Sequence, residues 1–169
     1  MQRRTLLAFG AVTATSLALA GCGFQLRKAP DFAFKALFSP LAETSPVGVE
    51  LKRSLQYGGK VRVITDPRQI DQADAILEVV SDVRERSVVG LNASGQVREF
   101  QLRLRFNFRL RTPQGKELIP QTEIAQQRDI SYSESQALAK EAEEALLYRD
   151  MERDIVQQIM RRLAAVQTL

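Results

Sequence analysis

Apolar and polar residues alternate along residues 97–112. The apolar side chains fall on every second position, and they are Phe100, Leu102, Leu104, Phe106, Phe108 and Leu110. The positions between them are mostly basic, and they are Gln101, Arg103, Arg105, Asn107, Arg109 and Arg111. Because a β-strand directs successive side chains to opposite faces, this pattern predicts a strand with one apolar and one basic face. The rest of the chain must supply a cover for the apolar face.

Two more long strands are predicted, one before and one after this segment. In the first, from Asp74 to about residue 91, one face is shared by Ala75, Leu77, Val79, Ser81 and Val83. Turn residues at 92–95 and 113–116 connect the strands, and the third covers residues 117–132. Pro120 indicates that this third strand lies at an edge. Strands of about 16 residues would span roughly 50 Å, so we expect bulges or breaks within the antiparallel meander.

A strand–helix–strand unit is predicted ahead of the meander. Residues 32–38 alternate as a first strand, and residues 61–65 form a short second one. Between them Ser45 is placed to cap a helix with Pro46 as its first residue, and Gly58 follows its end. Short connections of this kind predict that the two strands are parallel.

The C-terminal segment predicts a long helix that begins after Ser133 or Ser135, either of which can cap it. Its apolar stripe has helical spacing and comprises Leu138, Ala142, Ala145, Tyr148, Met151, Ile155, Ile159, Leu163 and Val166. Its length of roughly 45 Å suits it to cover the long strands. We therefore expect a single α+β domain over residues 32–169. It would be a two-layer sandwich in which a four- to five-stranded mixed sheet, a β-α-β unit followed by an antiparallel meander, is covered by two helices.

The amino-acid composition excludes several kinds of catalytic and metal-binding site. The chain of 169 residues contains no His, no Trp and one Cys. Without His it lacks a Ser-His-Asp triad, a Cys-His pair and imidazole metal ligands. No phosphate-binding glycine loop and no convincing acidic cluster is present, so we expect no enzyme activity, no metal and no cofactor.

The basic strand face is the sharpest candidate for binding. Arg103 and Arg105, with Arg109 and Arg111, suit bidentate contacts to phosphate or carboxylate groups. Arg84 and Arg86 on the preceding strand are expected to join them. An alternative is a solvated face on which the arginines pair across strands with Glu78, Asp82, Glu99 or Glu123. A docked partner protein is a third possibility.

The N-terminal segment has the features of a secretion signal. Arg3 and Arg4 precede an uncharged apolar run, residues 6–19, that is too short for a comfortable membrane span. The run ends in Leu-Ala-Gly-Cys, which resembles the bacterial lipobox, so Cys22 is the expected lipid attachment site. An ordinary signal peptide with a chance Cys is the alternative. We expect residues 1–21 to be removed and residues 22–31 to form a lipidated tether.

Localisation follows from this segment. Gly23 stands where inner-membrane lipoproteins typically carry Asp, so the resemblance implies attachment to the outer membrane on its periplasmic side. Nucleic acid is therefore not an expected partner. Removal of residues 1–21 lowers the formal charge from +4 to +2. Anion recognition must then depend on local arrangement and not on bulk charge.

Three motifs resemble one family, in matching order over nearly the whole mature chain. They are Gly-Cys-Gly-Phe-Gln-Leu-Arg at residues 21–27, Gly-Gln-Val-Arg-Glu-Phe-Gln-Leu at 95–102, and the segment from Arg128 through Ala-Leu-Ala-Lys-Glu at 137–141 to Met151. They resemble the LptE family of lipopolysaccharide-assembly lipoproteins. The resemblance implies a non-enzymatic protein that plugs the LptD β-barrel and binds lipopolysaccharide during its delivery to the cell surface.

The resemblance also implies binding residues. Lys140 matches the Lys of the family's Ala-Leu-Ala-Lys motif. A second family site is a basic residue in the turn before Glu99, which here holds no base, and Arg98 is the nearest one. Arg103 and Arg105 are further lipopolysaccharide-binding candidates because of their basic strand face. The alternative function is an unrelated accessory lipoprotein of another envelope-assembly complex.

Overall fold

The computed structural model describes residues 30–40, 45–58 and 60–169, so Cys22 and the predicted signal peptide lie outside it. The sheet has five strands in the order β2-β1-β3-β4-β5. The strands are β1 (Ala36–Phe38), β2 (Arg62–Ile64), β3 (Ala75–Leu91), β4 (Val97–Arg111) and β5 (Glu117–Ser131), and the helices are α1 (Pro46–Arg53) and α2 (Ala137–Ala164). Both helices belong to one layer, in which α2 contacts α1, β4 and β5. The predicted two-layer α+β sandwich is confirmed.

Strand β4 is the middle one of the three long strands. It pairs antiparallel with β3 and β5 along almost its whole length. Leu102, Leu104, Phe106, Phe108 and Leu110 are all buried in the main core, whereas the residues between them are partly or fully exposed. The predicted apolar face therefore lies under the helices, and the basic face is the open side of the sheet, which we call the open face.

The β-α-β unit is confirmed, with a shorter first strand than predicted. Strands β1 and β2 are parallel. Only Ala36–Phe38 forms β1, because the Asp74 carboxylate accepts hydrogen bonds from the backbone N–H groups of Lys35 (2.8 Å) and Ala36 (2.9 Å). Those groups are satisfied by a side chain and not by a neighbouring strand. Helix α1 continues into a π-helical turn that ends at Gly58.

Ser45 caps α1 as predicted. Its side chain accepts a hydrogen bond from the Gly48 N–H (2.9 Å) and also bonds the Asp82 carboxylate. The Ser45→Ala substitution should lower the free energy of unfolding by about 1 kcal/mol, since one N-terminal N–H of the helix loses its acceptor. Urea unfolding monitored by circular dichroism would measure this change. Ser45→Thr, which keeps the oxygen, should restore most of the loss, and equal destabilisation by both substitutions would contradict the capping role.

A β-bulge corrects the predicted faces of β3. Val79 pairs with Phe108 but Ser81 pairs with Asn107, so Val80 is an extra residue. An inserted residue reverses the alternation beyond it. Ser81 and Val83 therefore lie on the open face. The prediction from alternation alone, that they share a face with Val79, was wrong. The expectation that Arg84 and Arg86 join the other arginines was wrong, because they lie opposite Leu104 and Leu102 on the helix side.

Strand β5 is an edge strand, as Pro120 indicated. Phe108 pairs with Thr122 while Leu110 pairs with Ile119, so the β4–β5 register shifts around Pro120. A proline lacks the N–H that a ladder position needs, and a bulge at an edge accommodates it. The expectation of irregularities in the long strands is confirmed in both β3 and β5.

The long helix α2 is confirmed, but its start differs from the prediction. Neither Ser133 nor Ser135 caps a backbone N–H with its side chain, because their hydroxyls bond each other at 2.9 Å. The apolar stripe is buried from Tyr148 to Leu163, whereas Leu138 and Ala142 are exposed. Among the described residues, no helix is both long and apolar enough to cross a membrane.

Candidate functional site

Lys140 lies near the start of α2, where the helix passes the end of β5. Its ammonium group donates to Ser131 Oγ (3.0 Å) and to Glu143 Oε2 (2.9 Å). The side chain is only 17% exposed. An ammonium has three N–H donors, so one remains for water or a ligand once these two contacts are made. The lysine is thereby held in one position with capacity to bind an anion.

Arg98 lies at the same end of the domain, near the start of β4. Its backbone carbonyl accepts a hydrogen bond from the Tyr132 N–H (2.7 Å), directly after the Ser131 that Lys140 contacts. It lines a cleft of about 180 Å³ together with Gln96, Val97, Ser133, Glu134 and Ser135. The side chain is exposed, and it forms no ion pair within the part of the chain that the structure describes. Lys140 and Arg98 therefore flank one strand end, which we call the cationic end.

Arg86 belongs to the cationic end although sequence reasoning placed it elsewhere. Its guanidinium lies 3.7 Å from the centre of the Phe100 ring and forms an ion pair with Glu144 of α2 at 3.3 Å. Phe100 in turn packs edge-on against Tyr132, with ring centroids 5.2 Å apart. The alternating pattern alone could not reveal this placement, because the bulge at Val80 determines which face Arg86 occupies.

Arg103 and Arg105 lie on the open face, in the opposite layer from α2. Arg103 donates to Gln101 Oε1 (2.6 Å), and Arg105 forms an ion pair with Glu85 (2.6 Å). The Arg105 Nε and the neighbouring Asn107 Oδ1 are buried atoms that have no hydrogen-bond partner among the described residues. The four predicted binding residues thus form two separate sets: Lys140 and Arg98 at the cationic end, and Arg103 and Arg105 on the open face.

Arg109 and Arg111 form ion pairs with the same carboxylate. Glu78 on β3 bonds both guanidinium groups, and the Arg111 Nε lies 2.6 Å from its Oε1. The hydrogen bond from Arg111, reinforced by that from Arg109, lowers the pKa of Glu78 despite the opposing effect of burial. For these two arginines the predicted pairing across strands is confirmed, with Glu78 as the partner.

The shifted pKa of Glu78 predicts a pH-dependent contribution to stability. A lowered folded-state pKa stabilises the protein above the unfolded-state pKa, and that contribution disappears as the pH falls through the folded-state pKa. Glu78→Gln should therefore be less stable than the parent protein at pH 7 and equal to it in strong acid. Urea unfolding between pH 7 and pH 3 would test this.

The matched control for that experiment is Glu123→Gln. Glu123 lies on the same open face from β5, opposite Asn107, and has no ion pair among the described residues. Its substitution should change stability little at any pH. A gap between Glu78→Gln and the parent that stays constant with pH would contradict the role of the Arg109–Glu78–Arg111 cluster.

Elsewhere the described residues show no group of three acidic or Cys side chains placed to hold a metal ion. A larger cavity of about 500 Å³ lies between α1 and α2, bordered by Val49, Leu146 and Arg149. It contains none of the predicted binding residues. The chemistry available at the cationic end is the binding of an anion.

Comparison with known proteins gives a consistent result. Residues 34–163 match the family model described as LptE, Lipopolysaccharide-assembly. The LPS-assembly lipoprotein LptE of Yersinia enterocolitica is 28% identical over 153 residues, which cover 89% of this chain and 72% of that protein.

Solved structures also resemble this chain. The solution structure of lipoprotein B from Nitrosomonas europaea is 33% identical, with a TM-score of 0.71, and the match covers 85% of this chain and 91% of that one. The crystal structure of the rare lipoprotein B from Shewanella oneidensis is 26% identical, with a TM-score of 0.61, over 77% of this chain and 92% of that one. The same sheet and helices therefore occur in other bacterial lipoproteins.

Proposed function

This chain belongs to the LptE family of lipopolysaccharide-assembly proteins, and on that premise we propose that it is a non-enzymatic outer-membrane lipoprotein that plugs an LptD-like β-barrel and binds lipopolysaccharide. Cys22 would carry the lipid anchor, and residues 22–31 would lead to the folded domain. The observation that supports the binding role is the position of Lys140 and Arg98 at the same strand end, where phosphate groups would meet two cations.

The lysine geometry supports a phosphate ligand. Its ammonium is held by Ser131 and Glu143, which orients it without the loss of side-chain freedom that a fully exposed lysine would suffer on binding. The Arg98 guanidinium presents a planar set of donors that matches phosphate oxygens. Together they suit the phosphorylated head of a glycolipid.

The open face supports the plug role. It carries both charges, with Arg103, Arg105 and Glu85 on β3 and β4 and exposed Glu123 and Asp129 on β5. The interior of a membrane barrel is polar, so a plug needs a surface of this kind. Two buried polar atoms, on Arg105 and Asn107, have no partner within the part of the chain that the structure describes and would gain hydrogen bonds from a barrel wall.

The plug role is tested by extraction from outer membranes in mild detergent through a tag placed after Leu169. We expect one large β-barrel protein to co-purify in a near one-to-one ratio. The Arg103→Gln, Arg105→Gln double variant should reduce that ratio, while Glu123→Gln alone should leave it unchanged. Recovery of this protein without any barrel, where other membrane complexes survive, would instead favour the accessory-lipoprotein alternative.

A further inference from the structure

Four exposed apolar side chains lie at the same end of the domain as Lys140 and Arg98. Val88, Val89 and Leu91, near the end of β3, are 48%, 50% and 62% exposed, and Leu138 in the first turn of α2 is 83% exposed. We call these four residues the apolar tip. Single exposed apolar residues are ordinary, but a group of them at one end of a domain marks a site of contact with an apolar partner.

A second β-bulge exposes adjacent valines at this place. Val88 pairs with Phe100 and Gly90 with Glu99, so Val89 is inserted between two paired positions. The β3 backbone approaches β4 closely there, since a Cβ on Gly90 would lie 2.9 Å from the Glu99 Cβ. Regular alternation would turn every second side chain to the opposite face, whereas the bulge leaves Val88 and Val89 both at the surface.

Cationic groups border the apolar tip. Val88 lies opposite Phe100, on which the Arg86 guanidinium stacks, and Leu91 pairs with Val97, the residue before Arg98. Leu138 precedes Lys140 by two positions on α2. An apolar surface edged by cations complements a molecule that has acyl chains attached to a phosphorylated head. A second copy of this chain would place like charges against each other, which disfavours self-association.

We propose that the apolar tip contacts the acyl chains of the same lipopolysaccharide molecule whose phosphates Lys140 and Arg98 bind. This inference rests on the proposed function, and it assigns to Val88, Val89, Leu91 and Leu138 the apolar half of the ligand. The protein then binds the region where head and acyl chains join. That contact shields part of the acyl surface from water while the lipid is outside a bilayer.

The test compares intact lipopolysaccharide with the same molecule after complete removal of its acyl chains. The variant is Val89→Ser, Leu91→Ser, and its control is Val80→Ser, Val49→Ser, because Val80 (51% exposed) occupies the other bulge of β3 and Val49 (41% exposed) lies on α1. Circular dichroism and urea unfolding would show that both variants are folded. Binding is measured at low protein concentration for each lipid form.

We expect the tip variant to bind intact lipopolysaccharide at least about tenfold more weakly than the parent, since the apolar area removed from water is lost. Its affinity for the deacylated form should equal that of the parent, and the control should match the parent for both forms. Equal affinity of tip variant and parent for the intact lipid would overturn the inference. So would a parent protein that binds both lipid forms equally well.

Two further outcomes distinguish a failure of this inference from a failure of the proposed function. A parent protein that binds neither lipid form would overturn the proposed function and this inference together. If the parent binds both forms but the tip variant loses both equally, only the acyl contact is overturned. Phosphatidylglycerol vesicles without lipopolysaccharide provide the last arm, because an equal loss of vesicle binding in the tip variant would identify a phospholipid bilayer as the occupant instead.

Discussion

Replacing Phe106 with alanine is expected to lower the free energy of unfolding by about 3–5 kcal/mol. The side chain has no exposed surface and lies in the middle of β4, where β3 and β5 pair on both sides. Its ring centroid is 6.2 Å from that of Phe108 in the main core. Truncation would remove the apolar contacts and leave a cavity that the central strand has little freedom to close.

Equilibrium urea unfolding measures this loss, and Asn107→Ala is its control. Asn107 is the next residue on the same strand but lies on the open face, and its buried Oδ1 has no hydrogen-bond partner among the described residues. Its removal should therefore change stability by less than about 1 kcal/mol. If the two substitutions cost the same, the assignment of apolar and open faces would be wrong.

The second large effect is expected in ligand binding. The Lys140→Gln, Arg98→Gln double variant should bind lipopolysaccharide about 100-fold more weakly, because it removes two charge-assisted contacts to phosphate. The difference should shrink as salt is added, since salt screens the attraction that the variant lacks. Unfolding should be almost unchanged, because both side chains lie at the end of the domain, outside the core.

Arg103→Gln, Arg105→Gln provides the matched control, since it removes the same charge from the open face of the sheet. We expect it to retain lipopolysaccharide binding and to weaken barrel association instead. The reverse result, in which this variant loses lipopolysaccharide and the Lys140 and Arg98 variant does not, would move the binding site to the open face. Titration of the two variants with lipopolysaccharide at one fixed ionic strength distinguishes these two results.

The two bulges of β3 determine the positions of several side chains on which these predictions depend. The bulge at Val80 moves Arg84 and Arg86 to the helix side, where they stack on Tyr148 (3.5 Å) and Phe100 (3.7 Å). The bulge at Val89 produces the exposed end of the strand. Strand β3 thus supplies core residues near its start, two arginines on the helix side in its middle and three of the four residues of the apolar tip at its end.

Much of the fold was predictable from the sequence, because many of its elements depend on the residue pattern of a single short segment. The period-two alternation of β4, the Ser45-Pro46 helix start and the edge position of β5 each follow from one stretch of chain. The length of α2 and its buried stripe from Tyr148 onward also follow from spacing. Lys140 was predicted from its match to the family motif and Arg98 as the base nearest to a family position that holds none here, and the structure places both at one end of the domain.

The sequence alone thus determined the elements, their order, the apolar face of β4 and the family, since each is encoded by residues close together in the chain. Only the tertiary structure decided which arginines share a surface. A single inserted residue reverses every later side chain of a strand, and no composition signal marks Val80 or Val89 as the extra one. The tertiary structure likewise decided that Leu138 is exposed despite its helical spacing, because Lys140 and Glu144 are the side chains that contact the sheet from the first turns of α2.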